Sequence, residues 1–111
     1  MEKLINETII FKLTTKGGKI AVSHHDGTDK GNIMLYALST CGWCRKTKRL
    51  LDDQGIEYDF IDIDLLTPDE KGAVMDKVRQ WNPEATFPTV VVNGNNCIVG
   101  YDEDKILAVI S

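Results

Sequence analysis

The chain has 111 residues, enough for one compact domain and too few for two. Its 42% apolar share can build one core, and a net charge of −4 without an arginine- or lysine-rich face speaks against nucleic-acid binding. No stretch approaches the roughly 18 apolar residues of a membrane span.

Met1 to Asn6 carries both charge signs and no long apolar core, so it does not read as a signal peptide; the expected compartment is cytoplasmic, where thiols stay reduced. Residues 8–23 alternate. Ile9, Phe11 and Leu13 fall on one face, Ile20 and Val22 share a face after Lys16-Gly17-Gly18-Lys19, and the pattern predicts a β-hairpin. Such a hairpin is marginal alone, so its apolar face must cover its own domain or a second chain. The polar stretch HHDGTDKGN, 24–32, predicts a loop.

From Ile33 the pattern is more regular. IMLYAL, 33–38, is a nearly continuous apolar run, as for a strand buried on both faces. Residues 42–54 place Cys44, Thr47, Leu50, Leu51 and Gln54 at helical spacing, with Gly55 as a stop. IEYDFIDID, 56–64, alternates as a second strand. Thr67-Pro68-Asp69-Glu70 has the chemistry of a helix start, and that helix runs to about Trp81. Residues 87–100 read as two strands around an Asn-Gly turn, and Asp102 caps a last helix through Ile110. The order is β-α-β-α-β-β-α, with the first two strands parallel.

Cys41 and Cys44 stand where the first of these strands gives way to a helix. A structural disulfide, half of a metal site and a redox couple are the three chemistries open to them. An odd count of three cysteines disfavours a disulfide framework. Zinc wants four ligands, and there is no second C-x-x-C; His24 and His25 are adjacent in a polar stretch. The redox couple fits the position. The first turn of a helix offers unpaired N–H groups and the positive end of the dipole to a thiolate at Cys41. Cys44, three residues on, lies on the same face within disulfide reach.

Activation of this kind has a definite size. Helix starts with basic neighbours bring a thiol from about 8.5 to roughly 3.5–7.5. A drop of about 2.5 units raises the thiolate population at pH 7 about thirtyfold but lowers nucleophilicity about thirteenfold, so attack gains only about two- to threefold. The larger benefit is as a leaving group. Arg45, Lys46, Lys48 and Arg49 add positive potential, most of it on a solvated face. Trp43, at the exposed start of the helix, reads as a contact for a partner, Trp81 as packing, and Cys97, in a strand, as an inert thiol.

YALSTCGWCRKTKRLL, ATFPTVVVNG and IVGYDEDKI, in that order, resemble the glutaredoxin branch of the thioredoxin superfamily over roughly Ile33 to Ile110. The resemblance implies an α/β/α sandwich with a four-stranded mixed sheet, carried by residues 33–110 of a single domain spanning 1–111, with the hairpin of residues 8–23 as an addition. By position, Cys41 matches the nucleophile and Cys44 the resolving cysteine. Thr86, Phe87 and Pro88 match the Thr-Val-Pro segment, whose proline follows a cis bond and faces the cysteines. Gly100, Tyr101 and Asp102 match the Gly-x-Asp at the last helix, where a glutathione carboxylate docks on N–H groups. Trp43 joins these as a substrate contact.

Two departures bear on the electron donor. Leu38 stands where glutaredoxins usually carry a lysine, and Gly42-Trp43 replaces Pro-Tyr. The sequence is similar in this to redoxins of anaerobes and to those feeding ribonucleotide reductase, which draw on a flavin or iron–sulfur reductase. The implied activity is dithiol–disulfide exchange through a redox-active Cys41–Cys44 disulfide, with no bound cofactor or metal. The expected partners are disulfide-containing proteins and a reductase or small thiol, with no nucleic acid or membrane, acting as a monomer. The alternative is a dimer bridging a [2Fe-2S] cluster, which Gly42 in place of proline would permit.

Overall fold

The computed structural model describes residues 7–15 and 18–110. The turn expected at Lys16-Gly17, the facing of Ile9, Phe11 and Leu13, and the reading of Met1 to Asn6 lie outside what is described. The elements in chain order are β1 (Glu7–Thr15), β2 (Gly18–His25), β3 (Ile33–Ala37), α1 (Gly42–Asp53), β4 (Tyr58–Asp62), a 3-10 turn (Ile63–Leu65), α2 (Pro68–Trp81), β5 (Thr89–Val92), β6 (Asn96–Val99) and α3 (Glu103–Ile110).

All six strands form one sheet in the order β1-β2-β4-β3-β5-β6. The expected four-stranded core is β4-β3-β5-β6. β3 and β4 run parallel through α1, while β3–β5 and β5–β6 are antiparallel. The hairpin extends this sheet: β2 pairs antiparallel with β4, Ser23 opposite Phe60 and His25 opposite Tyr58. The β1–β2 register slips by one residue between Ile9 and Phe11.

Strand alternation sorts the core into two layers. Ile33, Leu35, Ala37, Tyr58, Phe60, Val90 and Val92 pack against Cys44 and Leu51 of α1 and Ile106 and Ile110 of α3. Tyr36, Ile61, Ile63 and Val91 face the other way, against Val74 and Val78 of α2. Ile20 and Val22 of β2 join this second cluster, so the hairpin covers its own chain. Helices therefore cap both faces of the sheet.

Local chemistry ends the elements as the sequence leads one to expect. Thr67 and Glu70 form a reciprocal capping box ahead of α2, with Pro68 in its first turn. Gly55 stops α1 at φ +68, a conformation that costs a side-chain-bearing residue more. Asn93 and Gly94 both take positive φ in the β5–β6 turn.

Two expectations need correction. The second strand is shorter than residues 56–64, because after Asp62 the chain tightens into the 3-10 turn. The loop does not begin at His24: both histidines belong to β2 and are buried. Partners from β4 and its surroundings offset the burial. His24 Nδ1 lies 2.7 Å from Asp59 Oδ1, and its Nε2 lies 3.1 Å from Glu57 Oε2 and 3.2 Å from Asp26 Oδ1. His25 Nε2 lies 3.1 Å from Asp52 Oδ1, and its ring stacks on Tyr58 at 5.1 Å. Adjacent histidines in a polar context read as loop; pairing with β4, which brings Asp59 to His24 from 35 residues away, makes them strand.

The turn leaving β3 is tied down as well. Ser39 donates its backbone N–H to Asp64 Oδ1 at 2.7 Å and its hydroxyl to Asp64 Oδ2. These bonds hold the Asp64 carboxyl below its usual range, with Lys71 adding a smaller push in the same direction. A depressed carboxyl stabilises the fold above its unfolded value, about pH 4, and that contribution is lost as pH falls through the lower folded value. Asp64→Asn is therefore expected to flatten the acid limb of the stability curve below about pH 4. Urea midpoints measured from pH 5 downward check this, and an acid limb as steep in the variant as in the parent refutes it.

Candidate active site

Cys41 is the N-cap of α1. Its φ and ψ are −84° and 122°, extended rather than helical, and its Sγ accepts the N–H of Cys44 at 3.2 Å. The sulfur thus takes the place that a Ser or Asp oxygen usually fills. Its own N–H donates to Leu38 O at 3.1 Å, closing the turn that carries the chain from β3 into the helix. β3 is central in the sheet, so this turn is held by strands on both sides.

The two thiols differ sharply. Both are free, with Cys41 half-buried and Cys44 fully buried at 0% exposure. Burial, and then hydrogen bonding to the Cys41 sulfur, pushes the Cys44 thiol up to about 12; a backbone hydrogen bond at Leu38 and, more weakly, Lys48 pull the other way. Cys97, half-buried on β6, is raised by burial alone.

Beside the pair lies a cleft of about 290 Å³ lined by Trp43, Phe87, Pro88, Gly100 and Tyr101. Five of the residues expected at the site thus line one surface. The Phe87–Pro88 bond is cis, and Pro88 O accepts the N–H of Gly100 at 2.8 Å, joining two of the three motifs. Trp43 is 58% exposed and stacks on Tyr101, ring centres 5.6 Å apart. Lys46 Nζ lies 5.2 Å from the Trp43 ring centre and 5.1 Å from that of Tyr101. Trp43 is therefore an exposed aromatic with a cation resting on it.

The remaining expectations fare differently. Thr86 is exposed and turned into a polar knot: its carbonyl accepts from Thr89 Oγ1 at 2.7 Å and from Asn82 Nδ2 at 3.1 Å. Asn82 is buried, and its amide also reaches Thr86 Oγ1 and Thr89 Oγ1. This residue sets the path of the chain into Phe87, and the sequence reading gave it no role. Asp102 starts α3, accepting the Lys105 N–H through Oδ1 at 3.1 Å. Gly100 and Lys105 have therefore already spent their N–H groups, which narrows the docking surface expected there. Leu38 is half-buried against the second core cluster and places no charge at the mouth of the turn. Arg45 reaches back from α1 to Thr40 O, at 3.5 Å.

A glutaredoxin family model matches residues 33–97, from the start of β3 into β6. Methanoredoxin from Methanosarcina acetivorans superposes with a TM-score of 0.75 at 41% identity, over 77% of this chain and 90% of that one. The glutaredoxin from Methanosarcina mazei Go1 superposes with a TM-score of 0.75 at 37% identity, over 89% of this chain and 97% of that one. The glutaredoxin-like 8.6 kDa protein of the Clostridium pasteurianum rubredoxin operon is 30% identical over 74 residues, 67% of this chain and 91% of that protein. With an exposed-side cysteine capping a helix, a buried one a turn further in and the family model spanning the strand that delivers them, the chain belongs to the glutaredoxins, thiol–disulfide oxidoreductases on a thioredoxin fold.

Proposed function

We propose that the chain reduces protein disulfides by a dithiol route, with Cys41 as nucleophile and Cys44 as resolving thiol. The observation that carries this is the asymmetry of the two sulfurs: one is half-exposed and accepts a helix N–H, the other is sealed in the core with its thiol pushed up to about 12. The Cys41 thiolate attacks a substrate disulfide, and one substrate sulfur leaves as thiolate and takes a proton. The Cys44 thiol then gives up its proton, and its sulfur attacks Cys41 Sγ. The second substrate thiol leaves, and a Cys41–Cys44 disulfide remains. Two electrons from an external reductant restore both thiols. No bound cofactor takes part, and the chain acts as a cytoplasmic monomer. The cleft at Trp43, Phe87, Pro88 and Tyr101 receives the substrate segment next to its disulfide.

A second reading keeps one observation of its own. Nothing lies within 4 Å of where a side chain on Gly42 would stand, so the face beside Cys41 is open. A [2Fe-2S] cluster bridging two copies through Cys41 would use that space. Each copy offers one accessible thiol for it, since Cys44 is sealed, and external thiols would complete the ligand set. Visible absorbance of protein purified without oxygen separates the two: a colourless protein fits dithiol exchange, and a cluster spectrum favours the bridged dimer.

The cysteine roles are expected to appear as follows. Cys41 alkylates fastest near neutral pH, Cys41→Ser abolishes exchange, and Cys44→Ser accumulates a mixed disulfide. Cys97→Ala changes the exchange rate by less than about tenfold, or about 1.4 kcal/mol. Mass spectrometry of timed alkylation decides the order; modification of Cys44 ahead of Cys41 overturns the assignment.

The donor follows from Leu38. A charge-assisted contact to a glutathione carboxylate is worth about 1–2 kcal/mol, so its absence weakens glutathione about five- to thirtyfold. The protein is expected to turn over slowly with glutathione and faster with a dithiol or a reductase of the thioredoxin-reductase kind. Leu38→Lys is expected to raise the glutathione rate, since a lysine stem can keep the apolar contact while its ammonium reaches water. Efficient glutathione turnover by the parent, unmoved by Leu38→Lys, sinks this assignment of donor.

A further inference from the structure

Lys48 stands one helical turn beyond Cys44, and its ammonium turns inward. It donates to both oxygens of Asp62 at the end of β4, at 3.0 and 3.2 Å. It also sits 4.4 Å from the ring centre of Phe60, which shares a core cluster with Cys44. The Lys48 and Asp62 side chains are only 19% and 15% exposed. Holding a cation there costs desolvation, which the exposed Arg45, Lys46 and Arg49 on the same helix avoid. A leucine or methionine would fill this space more cheaply, so the charge itself calls for a reason.

We propose that Lys48, pinned by Asp62, is a positioning residue for the second exchange step, fixing positive charge beside Cys44 while that buried sulfur carries a negative one. This rests on the dithiol reading above. In the step, the Cys44 S–H bond breaks and its proton passes to solvent. The freed electron pair forms the bond to Cys41 Sγ, and the old disulfide bond breaks with its pair leaving on the substrate sulfur, which is protonated. The substrate is reduced, the cysteine pair is oxidised, and no further reactant enters.

A buried thiolate needs compensation: a backbone hydrogen bond at Leu38 favours it, and Lys48 adds charge in the same direction. Cys41 opposes it as a thiolate and is neutral once it is in the mixed disulfide. Tyr58 of β4 donates its hydroxyl to Asp52, and Tyr101 ahead of α3 stacks on Trp43. Asp64, after β4, is taken by Ser39. Asp62 faces Lys48 itself and tethers it. Among these groups Lys48 is the cation, and its field on Cys44 acts in the direction of the thiolate.

The size of the effect is modest. A cation one helical turn away, partly offset by the Asp62 carboxylate that holds it, is expected to shift the thiol by about half to one unit, which changes a thiolate population about three- to tenfold. Compensating nucleophilicity cuts this to about two- to fourfold in rate. A stopped-flow single turnover with an aromatic disulfide whose thiolate absorbs visibly reads both steps, because the first release reports attack by Cys41 and the second attack by Cys44. Lys48→Met is expected to leave the first phase unchanged. The second is expected to slow about two- to fourfold at neutral pH, its pH profile moving up by about half to one unit. Lys48→Arg is expected to restore the parent profile. A Lys48→Met second phase with the parent's rate and pH profile overturns the proposal, whatever happens to stability. So does a slowed phase with an unshifted profile, which marks a purely structural role. A parent protein with no second phase instead refutes the dithiol reading, and this inference falls with it.

Discussion

The site depends on one hydrogen bond, from the Cys44 N–H to the Cys41 sulfur. It exists only if Cys41 is the N-cap of α1, and that requires the chain to leave β3 through a turn of fixed shape. Three contacts fix it: Cys41 N–H to Leu38 O, and both Ser39 donors to Asp64. Asp64 is in turn placed by the 3-10 turn that ends β4. Since β3 and β4 are paired in parallel, from Met34 opposite Asp59 to Ala37 opposite Asp62, the ends of the two strands arrive together. Sheet register thus becomes the position of a sulfur atom.

The hairpin bears on the same register. Without it β4 would be an edge strand, with a row of unpaired backbone groups. β2 fills that edge, Ile20 and Val22 bury on the α2 side, His24 meets Asp59 of β4 and Glu57 just before it through its two ring nitrogens, and His25 Nε2 meets Asp52 at the end of α1. The strand so clamped is the one that ends in Asp62 and leads to Asp64. An addition outside the family's matched segment therefore supports the strand that leads to Asp64, which holds the turn before Cys41.

Much of this was legible in the sequence because it is local. A capping box, a glycine stop, an Asn-Gly turn and an apolar run carry their meaning within a few residues, and they located β3, α1, α2 and the last hairpin. Cys41 and Cys44 were legible for the same reason, as a pair at a strand–helix boundary. What escaped was long-range polar pairing. His24 reads as loop until Asp59 is brought beside it, and Lys48 as part of a mostly solvated helix face until Asp62 takes it. The alternation in Ile61-Asp62-Ile63-Asp64 did hint at this, since acids interleaved with buried isoleucines must each find a partner or reach water.

The two sulfurs also impose an order on the proposed exchange. The Cys41 sulfur raises the Cys44 thiol in two ways, by hydrogen bonding and by charge. While Cys41 is a free thiolate, Cys44 is held protonated and does not compete for the incoming disulfide. Capture of a substrate changes both terms: the Cys41 sulfur becomes a neutral disulfide atom, a poor acceptor with no net charge. The Cys44 thiol is then relieved of its neighbour and keeps the penalty of burial, against which the backbone hydrogen bond at Leu38 and, more weakly, Lys48 act. Attack by Cys44 is thereby favoured once there is something for it to resolve, and the leaving order follows from electrostatics between two sulfurs one helical turn apart, without any movement of the fold.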